Sequence, residues 1–298
     1  MQRDQAPSQP IDRDALARLW RMALDEDGAD ADVTARLVFV EDRPATVQVR
    51  ARAPGVFAGC VLLDLLADLY RNGLSVKVNV DDGATLARGT EIACLGGPAR
   101  RIVAIERTLL NFLQHLSGVA TLTRRFVEAV AGTQARIYDT RKTIPGLRAL
   151  AKYAVRCGGG FNHRFGLHDA VLVKDNHLAG IPADQLAIAA TEMLRRRMTL
   201  DRQPAFIEFE ADDLAQVDEL LRVAGINVIL LDNFTLEQMR EAVALRDRLA
   251  LASQVELEAS GNVTLDTVGA VAATGVDRIA VGALTHSAPA LDIGMDFA

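Results

Sequence analysis

Residues 162–177, NHRFGLHDAVLVKDNH, combine an apolar run with a high density of groups that could bind an anion. Residues 170–173 have the composition of a buried strand, yet the run ends in Lys174 and follows His163 and Arg164. An unpaired charge in a protein interior costs several kcal/mol. We therefore predict that these cations converge at the end of a strand, where an anionic ligand neutralises them.

This stretch belongs to a basic segment of an otherwise acidic chain. Residues 136–174 contain eight Lys or Arg and two acidic residues, whereas the whole chain has a formal net charge of −6. A local excess of cations concentrates anionic ligands, and the planar guanidinium of Arg pairs well with carboxylate or phosphate. For the cations of residues 148–156 we favour the exposed face of an ordinary helix. The residues to which we assign anion binding are Arg141, Lys142, Arg164 and Lys174.

Glu210 and Asp232 place two carboxylates at the ends of neighbouring predicted strands. Mg²⁺ prefers one or two carboxylates together with phosphate oxygens and water, so this pair could hold Mg²⁺ beside a phosphorylated ligand. Ion pairing with Lys142 or Lys174 is the alternative, and the two roles are compatible. Glu208 shares a strand face with Glu210, so both are predicted to point inward.

Two turns of small residues complete the candidate site. EASGN (258–262) and VGALTHS (281–287) each follow a predicted strand and offer backbone N–H groups, which bind anions when they converge. The glycines of residues 158–160 fit no phosphate-binding fingerprint. We interpret them as a flexible connection that lets residues 162–164 swing over the site.

The elements that must position these residues alternate between short apolar runs and helical patterns from about residue 133 onward. This alternation predicts βαβ units and a parallel sheet, and we favour a barrel over an open sheet. The active site of such barrels lies at the carboxyl ends of the strands. The predicted strands end at Thr140, Lys174, Glu210, Asp232, Ser260 and Gly282.

The first half mixes both element types and predicts an α+β domain. Helical spacing recurs at residues 16–23, 62–69 and 108–125, and residues 45–53 alternate as a half-buried strand does. The acidic net charge argues against nucleic-acid binding. No run approaches the ~20 apolar residues of a membrane span, and the cysteines show no CxxC spacing. We expect a cytoplasmic protein.

Several of these segments resemble one known family, the quinolinate phosphoribosyltransferases. DTRKTIPGLR, KYAVRCGGGFNHRFGL and LVKDNH carry the resemblance, which extends over most of residues 53–297. It implies transfer of the phosphoribosyl group of phosphoribosyl pyrophosphate (PRPP) to quinolinate with Mg²⁺. The products would be nicotinate mononucleotide, pyrophosphate and CO₂, in NAD biosynthesis.

The resemblance also implies roles for individual residues. Lys142, Glu210 and Asp232 would be catalytic, and Glu210 with Asp232 would hold Mg²⁺ through phosphate or water. Arg107 would reach the partner's barrel in a homodimer, with a larger oligomer left open. The substrate-binding residues would be Arg107, Thr140, Arg141, Lys142, His163, Arg164, Lys174, Glu210, Asp232, Ser260, Gly261, Gly282 and His286.

The implied fold is α/β, with an N-terminal α+β sandwich domain and an incomplete, seven-stranded α/β barrel. We place a disordered tail at residues 1–11 and the sandwich at 12–118. Residues 288–298 would return to the sandwich, and the barrel would span 119–287.

Three alternatives differ in chemistry. A molybdenum-transport relative shares the TRKT and HR segments, but the intact LVKDNH favours quinolinate. A Schiff-base aldolase could use Lys174 at a barrel strand end. A non-catalytic barrel that binds a phosphometabolite would not need Lys142, Glu210 and Asp232 together.

Overall fold

The computed structural model describes residues 11–39, 41–251 and 254–298. Apart from residue 11, the predicted tail at residues 1–11 lies outside them. Among the described residues, no helix is both long enough and apolar enough to cross a membrane.

The helices are α1 (Arg13–Asp27), α2 (Val33–Val38), α3 (Cys60–Leu69), α4 (Ala99–Ala129), α5 (Arg148–Cys157), α6 (Asp175–Leu178), α7 (Leu186–Arg196), α8 (Leu214–Leu221), α9 (Leu236–Arg248), α10 (Val268–Ala272) and α11 (Ala283–His286). The strands are β1 (Pro44–Ala51), β2 (Gly55–Val56), β3 (Ser75–Val78), β4 (Thr85–Leu86), β5 (Glu91–Pro98), β6 (Arg136–Tyr138), β7 (Val171–Val173), β8 (Ile207–Ala211), β9 (Val228–Asp232), β10 (Glu256–Ser260), β11 (Arg278–Ala280) and β12 (Ile293–Phe297). Single turns of 3₁₀ helix occur at Ala29–Ala31, Ala183–Gln185 and Arg197–Thr199.

The chain divides into two compact units. Of the described residues, the barrel unit comprises Arg125–Thr143 and Gly160–Ala283, and the sandwich unit comprises those up to Arg124, Ile144–Gly159 and Leu284–Ala298. The segment with α5 therefore belongs to the sandwich unit, although it lies within the range that the sequence assigned to the barrel.

The sandwich unit contains an antiparallel sheet in the order β12-β1-β5-β3. Strand β1 shows the alternating burial that residues 45–53 predicted, with Val47, Val49 and Ala51 buried. Asp12 caps the N-terminus of helix α1, because its carboxylate accepts hydrogen bonds from two backbone N–H groups of the first turn, and Gly28 caps the C-terminus with a positive φ of 66°. The terminal strand β12 pairs with β1, so the chain end returns to this unit.

The barrel unit contains a parallel sheet in the order β6-β11-β10-β9-β8-β7. The last of these strands in the chain, β11, pairs with the first, β6, as in a barrel. Strands β7 to β11 lie side by side in chain order. An isolated parallel bridge from Phe161 to Tyr138 adds one more neighbour on the free side of β6. The opening of the barrel therefore lies between this bridge and β7.

Each of the six apolar runs that we predicted to be strands contains a strand. Two other expectations need correction. The seventh strand implied by the resemblance is only the single bridge at Phe161. Lys152 is buried within α5, although we placed it on an exposed helical face. The predicted helix at residues 108–125 is part of the longer α4.

Candidate active site

A cavity of about 550 Å³ lies at the carboxyl ends of the barrel strands. Parallel pairing aligns those ends: Glu210 lies opposite Leu230, and Asp232 lies opposite Ser260. All four of these residues line the cavity. The structure thus brings the predicted strand ends together, as expected of α/β barrels.

Four cations predicted to bind an anion line this cavity, namely Arg141, Lys142, Arg164 and Lys174. Among the described residues, the Nε of Arg141 is buried and has no hydrogen-bond partner. Arg164 is also buried, and the pKa of its guanidinium is lowered by desolvation and by the neighbouring Arg141. An anion placed between the two guanidinium groups would relieve both the repulsion and the missing hydrogen bond.

Lys174 forms an ion pair with Glu210 across β7 and β8. This is the contact that we set out as the alternative to metal binding by Glu210. His177 supports the turn after β7, because its Nδ1 accepts a hydrogen bond of 2.9 Å from the backbone N–H of Lys174. Lys174 is therefore held at the cavity both by the ion pair of its ammonium group and by the hydrogen bond of its backbone.

A third carboxylate, from Asp212, joins the predicted acidic pair. One oxygen each of Glu210, Asp212 and Asp232 lie within 4.8 Å of one another. Sequence reasoning missed Asp212, which follows the predicted end of its strand by two residues. The period of two on that strand was the available signal, because it places Asp212 on the face of Glu210.

The loop of residues 162–166 is fixed by hydrogen bonds, whereas we expected a segment that swings over the site. Its four successive backbone N–H groups, from residue 163 to residue 166, all donate to side chains. Asp139 accepts from His163 at 2.9 Å, and Asp169 accepts from Phe165 at 2.6 Å and from Gly166 at 2.8 Å. The Nδ1 of His163 accepts from Arg164 at 2.8 Å.

The imidazole of His163 is directed toward two glutamates that have no solvent exposure. Its Nε2 lies 2.8 Å from a carboxylate oxygen of Glu208 and 3.5 Å from one of Glu258. Glu208 points inward as its spacing from Glu210 predicted, whereas Glu258 was not singled out. Burial, reinforced by the carboxylate of Glu208, raises the pKa of Glu258 to about 7.

These three residues could in principle ligate a metal ion, since their ligand atoms lie within 4.8 Å of one another. The hydrogen bond at Nδ1 argues for a proton instead. An Nδ1 that accepts from the backbone of Arg164 carries no hydrogen, so the hydrogen of a neutral imidazole lies on Nε2. That hydrogen occupies the position that a metal would need.

The turn after β10 has the backbone conformation that an anion-binding turn requires. Gly261 has φ +106°, and a Cβ there would lie 2.1 Å from Oδ1 of Asn233. Asn262 follows with φ 48°. Ser260, Gly261 and Asn262 all line the cavity, and so does Asn233, which sequence reasoning did not select.

The remaining predicted site residues differ in whether they line the cavity. Thr140 lines the cavity and accepts a hydrogen bond of 3.0 Å from the backbone of Lys142. Gly282 lies two residues beyond Ala280, another lining residue. Arg107, exposed on α4, and His286, which contacts Ser287, belong to the sandwich unit. Their roles in the site stay predictions.

Comparison with known proteins identifies two matching family domains. Residues 32–117 match the quinolinate phosphoribosyl transferase N-terminal domain, and residues 119–296 match the C-terminal domain of the same family. A nicotinate-nucleotide pyrophosphorylase [carboxylating] of Mycobacterium leprae is 44% identical over 95% of this chain and 97% of its own. A probable enzyme of the same name from Bacillus subtilis is 38% identical over 91% of this chain and 89% of its own.

Solved structures agree with these matches. The nicotinate-nucleotide pyrophosphorylase of Francisella tularensis superposes with a TM-score of 0.85 and 35% identity, covering 99% of this chain and all of its own. That of Ehrlichia chaffeensis gives a TM-score of 0.83 at 34% identity, covering 95% of this chain and 98% of its own.

The raised pKa of Glu258 predicts a pH-dependent contribution to stability. A carboxyl group with a raised folded-state pKa stabilises the fold fully below its unfolded pKa and loses that contribution as the pH rises through about 7. We expect the free energy of unfolding of the wild type to fall by about 1–3 kcal/mol between about pH 5 and about pH 8, relative to Glu258→Gln. Urea unfolding at the two pH values measures this difference.

The matched control is Glu237→Gln, which alters an exposed glutamate of α9 in the same unit. It should keep the pH dependence of the wild type. If Glu258→Gln also kept it, the raised pKa would be wrong.

Proposed function

This chain belongs to the quinolinate phosphoribosyltransferase family, and from that membership we propose that it transfers the phosphoribosyl group of PRPP to quinolinate. The products are nicotinate mononucleotide, pyrophosphate and CO₂. The enzyme is thus a nicotinate-nucleotide pyrophosphorylase of the carboxylating type, and it acts in NAD biosynthesis.

The observation that carries this proposal is the pair of guanidinium groups at the cavity. Arg141 has a buried Nε without a partner, and Arg164 is buried beside it. Quinolinate is a small planar dianion, and its two adjacent carboxylates match two guanidinium groups and a nearby ammonium. Lys174 supplies that ammonium at the same edge of the sheet.

The reaction needs positioning and charge stabilisation more than a nucleophilic side chain. The ring nitrogen of quinolinate forms a bond to the anomeric carbon of PRPP while the bond from that carbon to pyrophosphate breaks. Carboxylates of Glu210 and Asp232 in the cavity wall stabilise the positive charge that develops on the ribose. Cations hold the ring in line for the attack, which lowers the entropic part of the barrier.

Decarboxylation follows from the charge on the new pyridinium ring. The bond from ring carbon 2 to its carboxylate breaks, and the electron pair stays on that carbon, where the adjacent positive nitrogen stabilises it. CO₂ leaves, and the carbon then takes a proton. Lys142 lies at the same mouth of the cavity, and we assign it to the reacting centre with Glu210 and Asp232.

We propose Mg²⁺ as the cofactor, and the donor set fits it. Oxygen atoms of Glu210, Asp212 and Asp232 lie close enough to share one ion, and Mg²⁺ is usually bound by a few carboxylates with water and substrate phosphates. Because Glu210 already pairs with Lys174, we assign Asp212 and Asp232 the larger share. When bound, the ion would neutralise charge on the departing pyrophosphate.

We also propose a homodimer in which Arg107 enters the partner's site. Arg107 is exposed on α4 in a unit that contributes none of the residues lining the barrel cavity. A larger assembly of dimers is compatible with this arrangement. We place the protein in the cytoplasm, in keeping with three thiols that are not joined in disulfides.

The alternatives fit the site less well. An aldolase would attack a carbonyl with the neutral amine of Lys174, but that group forms an ion pair with Glu210, and an ammonium has no lone pair for the attack. Borohydride trapping of a substrate on Lys174 would nevertheless favour the aldolase. A molybdenum-transport relative or a binding-only barrel would give no pyridine nucleotide in the assay below.

The first test of this function is an activity assay with quinolinate, PRPP and Mg²⁺. We expect nicotinate mononucleotide and CO₂ in equal amounts. Arg141→Gln should lower kcat/KM for quinolinate about 10- to 100-fold, because a hydrogen bond to a charged group contributes roughly 1.5–3 kcal/mol. The matched control Arg240→Gln alters an exposed arginine of α9 and should leave kcat/KM unchanged. Turnover of nicotinate or another acceptor in place of quinolinate would overturn the substrate assignment.

Sharing of the site between subunits is tested by mixing two inactive variants. Arg107→Ala damages the contributed residue, and Lys142→Ala damages the receiving barrel. Mixed dimers contain one site with neither change, so unfolding and refolding the two together should recover about a quarter of the wild-type activity, assuming random pairing. Each variant refolded alone is the control. A mixture no more active than its components would contradict a shared site.

A further inference from the structure

Exposed large apolar side chains are concentrated in two short segments of the chain. Twelve such side chains are exposed among the described residues, and seven of them lie within residues 22–38 or residues 188–202. Single exposed apolar residues are ordinary, whereas a local concentration of them marks an interaction surface. The seven are Met22, Val33, Leu37, Val38, Ile188, Met198 and Leu200.

Residues 22–38, the acidic segment, contain five acidic residues and one arginine. Asp25, Glu26 and Asp27 are exposed at the end of α1, where the last turn contains no basic residue. The carboxyl end of a helix carries a partial negative charge, so these carboxylates are repelled by it, and a cation from outside would relieve that repulsion. In α2, which follows, Val33 is 70% exposed and Leu37 is 79% exposed.

Residues 188–202, the basic segment, contain four arginines and two acidic residues. Arg195, Arg196 and Arg197 are consecutive at the end of α7, and all three are exposed. Arg195 and Arg196 pair with Glu192, but such exposed ion pairs contribute little to stability. Their guanidinium groups therefore remain able to bind a partner. Met198 follows them directly and is 74% exposed.

The two segments are complementary in charge, and both expose apolar side chains. The acidic segment has three consecutive carboxylates, and the basic segment has three consecutive guanidinium groups. Opposite charges steer two surfaces together and fix their register, while burial of apolar side chains supplies affinity. Both segments are exposed on the single chain. Because every copy carries both surfaces, a second copy of the chain offers the complement of each.

We propose that the acidic segment of one copy docks on the basic segment of a second copy. The carboxylates then face the guanidinium groups, and the exposed apolar residues of both segments are buried between them. This contact is distinct from the entry of Arg107 into a partner's site, because neither segment contains Arg107. It also holds whatever acceptor the enzyme uses, since no residue of either segment lines the barrel cavity.

Charge reversal in the full-length protein tests this contact. One variant combines Asp25→Lys, Glu26→Lys and Asp27→Lys, and the other combines Arg195→Glu, Arg196→Glu and Arg197→Glu. Each should self-associate at least about tenfold more weakly than the wild type, because like charges then face each other. An equimolar mixture should regain the wild-type association, since the reversed segments are again complementary. Sedimentation equilibrium over a dilution series measures all three samples.

Recovery in the mixture requires a contact between copies, because a contact within one chain would stay broken in both variants. The matched control reverses three exposed arginines of the barrel unit outside the basic segment, Arg222→Glu, Arg240→Glu and Arg248→Glu. It should associate as the wild type does. A monomeric wild type, a mixture no more associated than its components, or equal weakening in the control would overturn the proposal.

The apolar part of the contact is tested separately. Leu37→Asn and Met198→Asn should each weaken self-association about 3- to 10-fold, because each removes an apolar side chain that the contact buries. The control variants Leu69→Asn and Leu249→Asn alter exposed leucines outside both segments and should leave association unchanged. Wild-type association of both Leu37→Asn and Met198→Asn would contradict the burial of these side chains between copies.

Discussion

Parallel pairing of the barrel strands is the constraint on which the site depends. Because β6 to β11 all run in one direction within one sheet, their carboxyl ends meet at one edge. Nearly every run changes from apolar to polar there, so residues distant in sequence, such as Lys174 and Glu210, come into contact. Reversing one strand would bury these charges at the opposite end, at a cost of several kcal/mol.

The charges at that edge form two groups. Glu208 and Glu258 are fully buried beside His163, and the guanidinium groups of Arg141 and Arg164 lie in the cavity wall. Burial raises the pKa of Glu258 to about 7, so this carboxyl is partly protonated at neutral pH and the pair carries less negative charge than two glutamates suggest. The wall therefore keeps an excess of positive charge for a dianionic ligand.

Much of this was predictable, because strands and strand ends follow from local patterns. The apolar runs located the parallel strands, and the period of two placed Glu208 beside Glu210. The orientation of His163 was not predictable, because it depends on Asp139 and Glu258, which lie far from it in sequence. The burial of Lys152 was missed for a similar reason, since helical spacing alone does not show what the polar face of α5 meets.

The central claim is that the cavity binds a dianionic pyridine through Arg141, Arg164 and Lys174. Calorimetric titration of quinolinate and of nicotinate, which lacks one carboxylate, measures this directly. Quinolinate should bind at least about tenfold more tightly at low ionic strength, and added salt should reduce the difference. Equal affinities for the two acids would contradict the account.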